Sequence, residues 1–409
     1  MPSITTELGY LALILALLVV PRALQRFLLP APLSCFAFGL LAALALGGFE
    51  RDATLALLAT LGISSLFLFA GLEIDLPGLR RGLGPLLAHL AVRALTLLGF
   101  TGAAMYVFGL PWDAACLLAL ALLTPSTGFI LETLSRLGLD EQERFWVTSK
   151  AIGGEMLALL VLFVVLQSVS IERMAWSSAA LIAMVVLLPL LFTALGRYVV
   201  PYAAGSEFSL LVMVGLLAAY LTKQLGVYYL VGAFLVGMVA RLLRERMPAL
   251  ASEENLRAVK LFASFFVPFY FFNSGINVPG GALQWNSLWL GLAVTAAVTP
   301  LRVGVVWAQR RFFVHEDVRS SLRVAVALAP TLVFTLVLAA ILRERFAISD
   351  VLYGAMLVYA ALTTMLPSVV LSRAFDLDVT DVAPPPLGAA TGVGGASPTA
   401  ASVASGDAH

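Results

Sequence analysis

The feature that most constrains this chain is a series of long apolar runs without charge. The segment from Leu261 to Leu301, for example, contains no charged residue over its whole length. A helix needs about 20 apolar residues to cross the roughly 30 Å hydrocarbon core of a bilayer. Runs of about that length follow one another over most of the 409 residues. The sequence therefore predicts an all-α polytopic membrane protein.

The composition agrees with a membrane protein and excludes other classes. Charged residues make up 12% of the chain, about half of the ~25% found in soluble domains, and the mean hydropathy is +0.98. The 25 Lys and Arg residues are balanced by 24 Asp and Glu residues, whereas a nucleic-acid-binding protein shows a basic excess. The chain is also too apolar to be disordered.

Counting charge-free runs against the thickness of a bilayer gives about thirteen transmembrane spans. The long run from Leu261 to Leu301 is divided by a turn that begins near Asn273 and ends at Gly281. The predicted spans cover residues 7–25, 29–48, 53–72, 83–109, 112–132, 145–170, 175–197, 206–223, 225–243, 260–277, 285–308, 320–342 and 350–372.

The distribution of basic residues predicts the orientation of these spans, since cytoplasmic loops carry an excess of Lys and Arg. With the N-terminus outside, the cytoplasmic side holds sixteen of them: Arg22, Arg26, Arg80, Arg81, Arg136, Arg144, Arg197, Arg241, Arg244, Arg246, Arg257, Lys260, Arg310, Arg311, Arg319 and Arg373. The opposite side holds five: Arg51, Arg173, Lys223, Arg343 and Arg345. We expect a multi-pass protein of a bacterial-type inner (cell) membrane with a cytoplasmic C-terminus.

Two domains are predicted, a transmembrane domain over 1–373 and a cytoplasmic tail over 374–409. The tail is rich in Pro, Gly, Ala and Ser, a composition that cannot bury a core and is typical of disorder. The sequence has no GxGxxG motif or P-loop, and we expect no cofactor. We also expect no enzymatic activity, because the spans contain no Ser/His or Asp/Asp dyad and no HExxH motif.

One acidic residue, Glu155, lies near the middle of a predicted span. An ionisable group at mid-membrane is costly and points to a functional site. The alternative is a structural ion pair, but Lys150 is five residues earlier, about 140° around the helix, and is not a good same-face partner. Gly153 and Gly154 precede Glu155 and would allow another chain segment to approach closely.

Two basic residues also lie inside spans. Arg302 follows Thr299 and Pro300 in the eleventh span, and either snorkels to the membrane surface or balances a buried charge. Arg93, in the fourth span, is interpreted as structural because little around it is polar apart from His89, one turn earlier.

Two spans carry helix-breaking sequences near mid-depth. The fifth contains the segment 124–128, and the twelfth contains Pro330 and Thr331, with Thr335 one turn later. Such breaks are tolerated where they are buried in protein or line a cavity. A pair of broken spans in corresponding positions of two halves is typical of a transporter. Two ordinary proline kinks are the alternative.

Several segments in this order resemble the monovalent cation/proton antiporters with a sodium/hydrogen exchanger-type membrane domain, especially the antiporter-2 branch. The resemblance rests on the run from Phe67 to Asp75, the break at Thr124 to Thr127, the span from Gly226 to Gly237, and the segment from Pro268 through Asn273 to Gly275. It covers about residues 7–372. It implies an inverted repeat with two discontinuous crossing helices, and a separate scaffold that forms a homodimer.

The resemblance also implies roles for individual residues. Glu155 falls on the family's essential aspartate, Gly154 on the preceding Asp or Asn, and Arg302 on a charge-balancing basic residue. The hydroxyls of Thr124, Ser126 and Thr127 would complete a site for a monovalent cation at Glu155. Supporting positions are Gly153, Gly154, Pro125, Pro330, Thr331, Asn273 and Lys150. The chain departs from the family at Gly154, which has no side-chain ligand.

The sequence therefore predicts a secondary active transporter that exchanges Na⁺ or K⁺ for protons by alternating access. Its partners would be the cation, protons, the lipid bilayer and a second copy of the chain, and no nucleic acid. Two alternatives stay open. One is a membrane regulator or sensor that kept the fold without transport, and the other is a Na⁺-coupled carrier of another solute.

Overall fold

A computed structural model describes residues 4–45, 52–74, 83–134, 137–168, 170–203, 205–226, 229–244 and 252–371. This part of the chain contains fifteen α-helices and no strand. They are α1 (Ile4–Leu24), α2 (Ala31–Ala45), α3 (Ala53–Leu72), α4 (Leu83–Phe108), α5 (Trp112–Leu123), α6 (Thr127–Thr133), α7 (Glu141–Gln167), α8 (Ile171–Tyr198), α9 (Glu207–Gln224), α10 (Tyr229–Leu242), α11 (Glu253–Ile276), α12 (Trp285–Gln309), α13 (Val318–Ala327), α14 (Leu332–Phe346) and α15 (Asp350–Val370).

The predicted all-α membrane architecture is confirmed. Ten spans in the described residues are long and apolar enough to cross a membrane, or eleven if the bent pair α13–α14 counts as one. The helices α2 and α10 are shorter than a full span, and both adjoin segments outside the described residues. Each of the thirteen predicted spans coincides with a described helix or a broken pair.

Some predictions fall outside the described residues. These include Asp75, which closes the motif that starts at Phe67, and the tail from residue 374. Several of the basic residues that fix the orientation also fall there, namely Arg51, Arg80, Arg81, Arg136, Arg246 and Arg373. The domain boundary at residue 373 stays a prediction.

Helix starts in the loops are fixed by side-chain caps. The Asp140 carboxylate accepts a hydrogen bond from Glu143 N at 2.7 Å, and the Glu143 carboxylate accepts one from Asp140 N at 3.1 Å. This reciprocal pair is a capping box at the start of α7. Asp52 caps α3 by accepting from Leu55 N at 2.8 Å. These caps satisfy backbone N–H groups that a helix start leaves unpaired.

Fourteen of the fifteen described helices pack in two groups, and the remaining helix, α8, contacts α7 and α10. The scaffold group comprises α1, α2, α3, α9, α10 and α11, in which α3 packs on α10 and α11, and α2 packs on α11. The crossing group comprises α4 to α7 and α12 to α15, in which α4 packs on α5, α12 on α15, and α14 on α5. The two groups meet where α3 contacts α6.

Glycines bring the scaffold helices into backbone contact. A Cβ atom at Gly39 of α2 would collide with the carbonyl of Phe272 in α11, and one at Gly275 of α11 would collide with the carbonyl of Phe36 in α2. The same reciprocal contact joins Gly71 of α3 and Gly237 of α10 through their neighbours' carbonyls. Small residues permit this close approach between membrane helices.

Candidate functional site

The two predicted breaks exist and lie against each other. The chain between α5 and α6 is extended at Thr124 and Ser126, and α13 and α14 are bent by 44° at their break. Ser126 N donates to the Pro330 carbonyl at 2.8 Å, and Ser126 Oγ accepts from Val333 N at 2.9 Å. Each break therefore supplies hydrogen bonds that the other lacks, as buried backbone requires.

Further side chains tie the two broken helices together. Thr335 Oγ1 donates to the Ala121 carbonyl at 2.8 Å, and Tyr359 Oη donates to the Leu122 carbonyl at 2.6 Å. Thr335 and Tyr359 are fully buried. Thr331 contacts Thr335 at 2.9 Å and Thr363 at 3.2 Å through its hydroxyl. The final carbonyls of α5 are thus paired with groups from other helices.

Glu155 lies in a small niche beside the first break. Its walls include Ser126, Thr127 and Gly128 from the break and Val333 from α14. Glu155 is 2% exposed, and its Oε2 atom has no hydrogen-bond partner in the described structure. The Thr127 hydroxyl, fully buried, is also without a partner there. The niche encloses no water-sized space, so an ion could enter only if its walls move.

The residues predicted to surround Glu155 divide into two sets. Ser126 and Thr127 line the niche with it. Thr124 is buried and its hydroxyl has no partner in the described part, but it is not among the niche's lining residues. Asn273 lies on α11, where its carbonyl accepts from Asn277 Nδ2 at 2.7 Å, and it does not line the niche either.

Arg93 packs against Gly154, the residue before Glu155, because Gly154 has no side chain. A Cβ atom at position 154 would lie 2.9 Å from the Arg93 Cζ atom. Across this gap Arg93 Nη2 donates to the Leu123 carbonyl at 2.8 Å, which is the last carbonyl of α5. Gly153 makes a different contact, with its Cβ direction 3.1 Å from Leu86 Cδ1. Gly153 and Gly154 thus allow two different side chains of α4 to pack against α7.

Arg302 lies at the second break. Its Nη1 donates to the Ala329 carbonyl at 3.0 Å and to Tyr359 Oη at 2.8 Å, and its Nη2 donates to the Leu328 carbonyl at 3.2 Å. It forms no ion pair with Glu155 within 4 Å in the described structure. Its predicted charge-balancing role would therefore act over a longer distance.

Arg93 and Arg302 occupy equivalent places in the two halves of the fold. Arg93 lies in the fourth span and binds the end of α5, the first half of the fifth span. Arg302 lies in the eleventh span and binds the end of α13, the first half of the twelfth. Cations stabilise helix C-termini, where carbonyl partial charges accumulate. Each broken helix thus has its own arginine, seven spans apart.

Lys150 belongs to a separate buried cluster. Its Nζ donates to Gln309 Oε1 at 3.0 Å, and His89 Nδ1 lies 2.8 Å from the same oxygen. Nearby, the fully buried Arg310 pairs with Glu316 and lies 5.6 Å from the centre of the Trp146 ring. Lys150 is therefore not a partner of Glu155, as its position on the helix predicted.

A larger cavity of about 470 Å³ reaches the niche from the scaffold side. Arg22 and Lys260 lie on its wall, and its inner wall includes Leu66 and Gly128, which also line the niche. The Leu66 side chain contacts Gly128 directly. Leu66 therefore separates the large cavity from Glu155.

Sequence reasoning missed the contact of Arg93 with Gly154 and the parts played by Tyr359 and Gln309. The interpretation of Arg93 as a structural residue overlooked its place at the end of α5 beside Glu155. Tyr359 carried no signal, since a Tyr in an apolar span is common near membrane interfaces, and Gln309 lies at the end of its span, where polar residues are ordinary. One signal was available for Arg93: Gly154, where the resembling antiporters have a side chain, leaves space for another group.

The family model described as "Sodium/hydrogen exchanger, transmembrane" matches residues 11–376 of the chain. No curated protein matches the chain. The resemblance found in the sequence is thus confirmed at the level of the family.

Solved structures with the same fold include the sodium proton antiporter MjNhaP1 from Methanocaldococcus jannaschii. Its structure at pH 8 is 14% identical, with a TM-score of 0.66, and the match covers 90% of this chain and 96% of that chain. An electron-microscopy structure of the same antiporter is 16% identical, with a TM-score of 0.62 and the same coverage. At these identities the likeness shows the fold alone.

Proposed function

Because the chain belongs to the sodium/hydrogen exchanger family, we propose that it exchanges a monovalent cation, Na⁺ or K⁺, for protons. The observation that carries the proposal is the position of Glu155, a deeply buried carboxylate with an unpartnered oxygen beside the broken helix. The MjNhaP1 structures, which share the fold, are described as a sodium proton antiporter.

Glu155 would act as the shared site for both substrates. Protonated, the carboxyl group is neutral, and ionised, it is a hard oxygen ligand that suits an alkali cation. The hydroxyls of Ser126 and Thr127 line the same niche and would add ligand oxygens. With one titrating carboxylate, one proton would exchange for one cation, and transport would be electroneutral.

Arg93 and Arg302 would keep the crossing intact while Glu155 changes its charge. Both guanidinium groups hold the final carbonyls of half-helices, and arginine stays protonated in proteins. They therefore act as fixed positive charges that would favour release of the cation once a proton arrives. We propose Arg302 as the distant counter-charge and Arg93 as the near one.

Alternating access would come from movement of the crossing group against the scaffold group. The cavity of about 470 Å³ gives one route to the niche, closed at its inner end by Leu66. We further propose that the chain works as a homodimer in a bacterial-type inner membrane, with its N-terminus outside and its C-terminus in the cytoplasm.

The test is dissipation of a preset pH gradient in proteoliposomes after addition of Na⁺, K⁺ or Li⁺. The wild type should exchange at least one cation, and Glu155→Gln should abolish exchange while the protein stays folded. Glu141→Gln is the matched control, because Glu141 is an exposed acid on the same helix. Exchange retained in Glu155→Gln would refute the assignment of the site.

The alternatives give different results in the same vesicles. A non-transporting regulator would show no exchange with any of the three cations in the wild type. A Na⁺-coupled carrier would leave the pH gradient intact and accumulate another solute. Gly154, which lacks a ligand atom, is the feature that would favour the first alternative.

A further inference from the structure

A second polar cavity lies between α4 and α12, and Glu155 is not among its lining residues. Its volume is about 50 Å³, enough for a few non-hydrogen atoms, and its polar walls are His89, Arg93, Thr299 and Arg302. No acidic side chain is among its lining residues. Within the cavity, the two guanidinium groups therefore face no acidic side chain.

The protonation of His89 follows from its contacts. Its Nδ1 lies 2.8 Å from Gln309 Oε1, and Lys150 Nζ lies 3.0 Å from the same atom. An ammonium group only donates, so this atom of Gln309 is the oxygen, and Nδ1 must carry a proton to share it. In a neutral imidazole, Nε2 is then an acceptor.

This acceptor has no partner in the described structure. His89 is 4% exposed, and its Nε2 atom makes no hydrogen bond there. Leaving a buried acceptor without a donor is energetically costly. Because His89 lines the cavity, a group bound in the cavity could supply the missing donor.

The other polar walls are mainly donors. Arg93 donates one N–H to the Leu123 carbonyl, and Arg302 donates through Nη1 and Nη2 to two carbonyls and to the Tyr359 hydroxyl. A guanidinium group carries five N–H bonds, so both arginines retain donors. The cavity thus combines one acceptor with several donors around a net positive charge.

This combination matches a carboxylic acid. The acid O–H can donate to His89 Nε2, while the carboxyl oxygens accept from the arginine N–H groups. If the proton transfers, it moves from the acid oxygen to Nε2, leaving a carboxylate beside an imidazolium and two guanidinium groups. Chloride could take the arginine donors but offers no hydrogen to a neutral imidazole.

The route to the cavity leads through the bilayer. α4 and α12 are among the least buried spans, and they expose Leu95, Leu98 and Leu301. Thr96 and Val303 line the cavity where these two helices face each other. A ligand entering here would leave its apolar part among the lipid chains.

We propose that the crevice formed by His89, Arg93, Thr96, Thr299 and Arg302 binds the carboxyl group of a membrane-dissolved long-chain carboxylic acid. The acyl chain would lie in the groove between α4 and α12. Water alone in the crevice is the competing outcome, since a polar cavity of this size also holds water.

The experiment is photo-crosslinking of the purified full chain in nanodiscs with a diazirine-bearing palmitic acid. Labelled peptides should come from α4 and α12, and excess palmitate should suppress the labelling. Methyl palmitate, which has no acid proton or charge, and acetate, which does not enter the bilayer core, should suppress it weakly. Equal competition by the methyl ester, or labelling spread over all spans, would overturn the proposal.

Three variants localise the site. His89→Phe removes the acceptor, and Thr96→Leu narrows the entrance. His89→Phe should weaken competition by palmitate about tenfold, the effect expected from one buried hydrogen bond, and Thr96→Leu should weaken it by steric exclusion. Thr101→Leu is the matched control for Thr96→Leu: both hydroxyls bond to carbonyls of their own helix, at 2.8 Å, but Thr101 does not line the crevice.

The labelling experiment distinguishes loss of binding from loss of folding and from loss of transport. If His89→Phe does not fold, Thr96→Leu against Thr101→Leu still decides, and equal labelling in these two variants refutes the site. The binding measurement needs no exchange activity, so failure of the proposed function leaves it interpretable.

Discussion

Position 154 decides which group stands beside the buried carboxylate. With glycine there, the Arg93 guanidinium occupies the space that a side chain would fill and reaches the Leu123 carbonyl. In the antiporters that the chain resembles, the equivalent position carries an oxygen or amide ligand. Here a fixed cation replaces that ligand, which would weaken binding of a second cation near Glu155 through like-charge repulsion.

Gly154→Ala is predicted to push Arg93 away from the end of α5. The added Cβ would lie 2.9 Å from Arg93 Cζ, so the guanidinium must shift and its bond to Leu123 weakens. We expect the free energy of unfolding to fall by about 1–3 kcal/mol, because a buried charged group is disturbed, and the thermal midpoint to fall with it. The measurement is thermal unfolding in detergent.

Gly99→Ala provides the control for this substitution. Gly99 also lies within a helix, α4, but nothing lies within 4 Å of its Cβ position. Alanine should stabilise that helix by up to about 1 kcal/mol. Combining Gly154→Ala with Arg93→Met should give non-additive free energies of unfolding, and strict additivity would contradict the contact.

Glu155 could be found from sequence because a charge at mid-span has few structural explanations. Arg93 could not, because its significance depends on two other helices, α5 and α7, whose approach to α4 is a tertiary property. The same limit applies to Tyr359, whose hydroxyl matters only because Leu122 lies opposite. The depth of a residue in the membrane can be estimated from its position in an apolar run, but its contacts with other helices cannot be read from the sequence.

At the scale of helices, the crossing depends on hydroxyl groups that pair with carbonyls of the other break. Thr335→Val keeps the shape but removes the donor to the Ala121 carbonyl. We predict destabilisation by about 1–3 kcal/mol, because a buried carbonyl is left unpaired. Thr193→Val, an exposed threonine bonded within its own helix, should change the thermal midpoint little. Equal shifts in both variants would argue against the crossing bond.

The start of α3 gives a prediction with a defined pH dependence. The Tyr10 hydroxyl donates to the Asp52 carboxylate and holds the pKa of that carboxyl below its usual value. The stability that Asp52 contributes is therefore present above about pH 4, the ordinary value for aspartate, and is lost as the pH falls through the lowered pKa.

Asp52→Ala should accordingly lower the free energy of unfolding by about 1 kcal/mol near neutral pH, which is measured as a lower thermal midpoint. The difference from wild type should stay constant down to about pH 5 and shrink below about pH 4. Asp52→Asn keeps a side-chain oxygen that can accept from Leu55 N, and it should lower the thermal midpoint less than Asp52→Ala does. A difference that persists undiminished at pH 3 would contradict the assigned pairing.

Apolar runs predicted every described span of the fold, because the bilayer imposes one length on all spans, and the Pro and Thr residues inside two of them predicted the breaks. They did not predict where the broken spans resume. Sequence placed Thr124 within the cation site, whereas the niche is lined from Ser126 onward. A break in a helix can be recognised from Pro and Gly, but its exact turn depends on the partner break, here Pro330 and Val333.

For the whole molecule, the orientation is the prediction that most needs a direct test. In a chain with Cys35→Ala and Cys116→Ala, Gln284→Cys should react with an impermeant maleimide from outside the cell. Arg311→Cys should react only from the cytoplasmic side, since one span, α12, separates these exposed positions. Labelling of both from one side would contradict the span count, and reversed labelling would invert the topology.

The glycine contacts of the scaffold group have a mechanical consequence. Where Gly39 meets α11 and Gly237 meets α3, backbone touches backbone, so no side chain can rotate to absorb a displacement. Between the groups, by contrast, the buried Leu66 side chain rests on Gly128, and a side chain can change rotamer where a backbone contact cannot. The described structure thus combines backbone contacts within the scaffold group with a side-chain contact at Leu66, and an applied strain should be taken up beside the carboxylate.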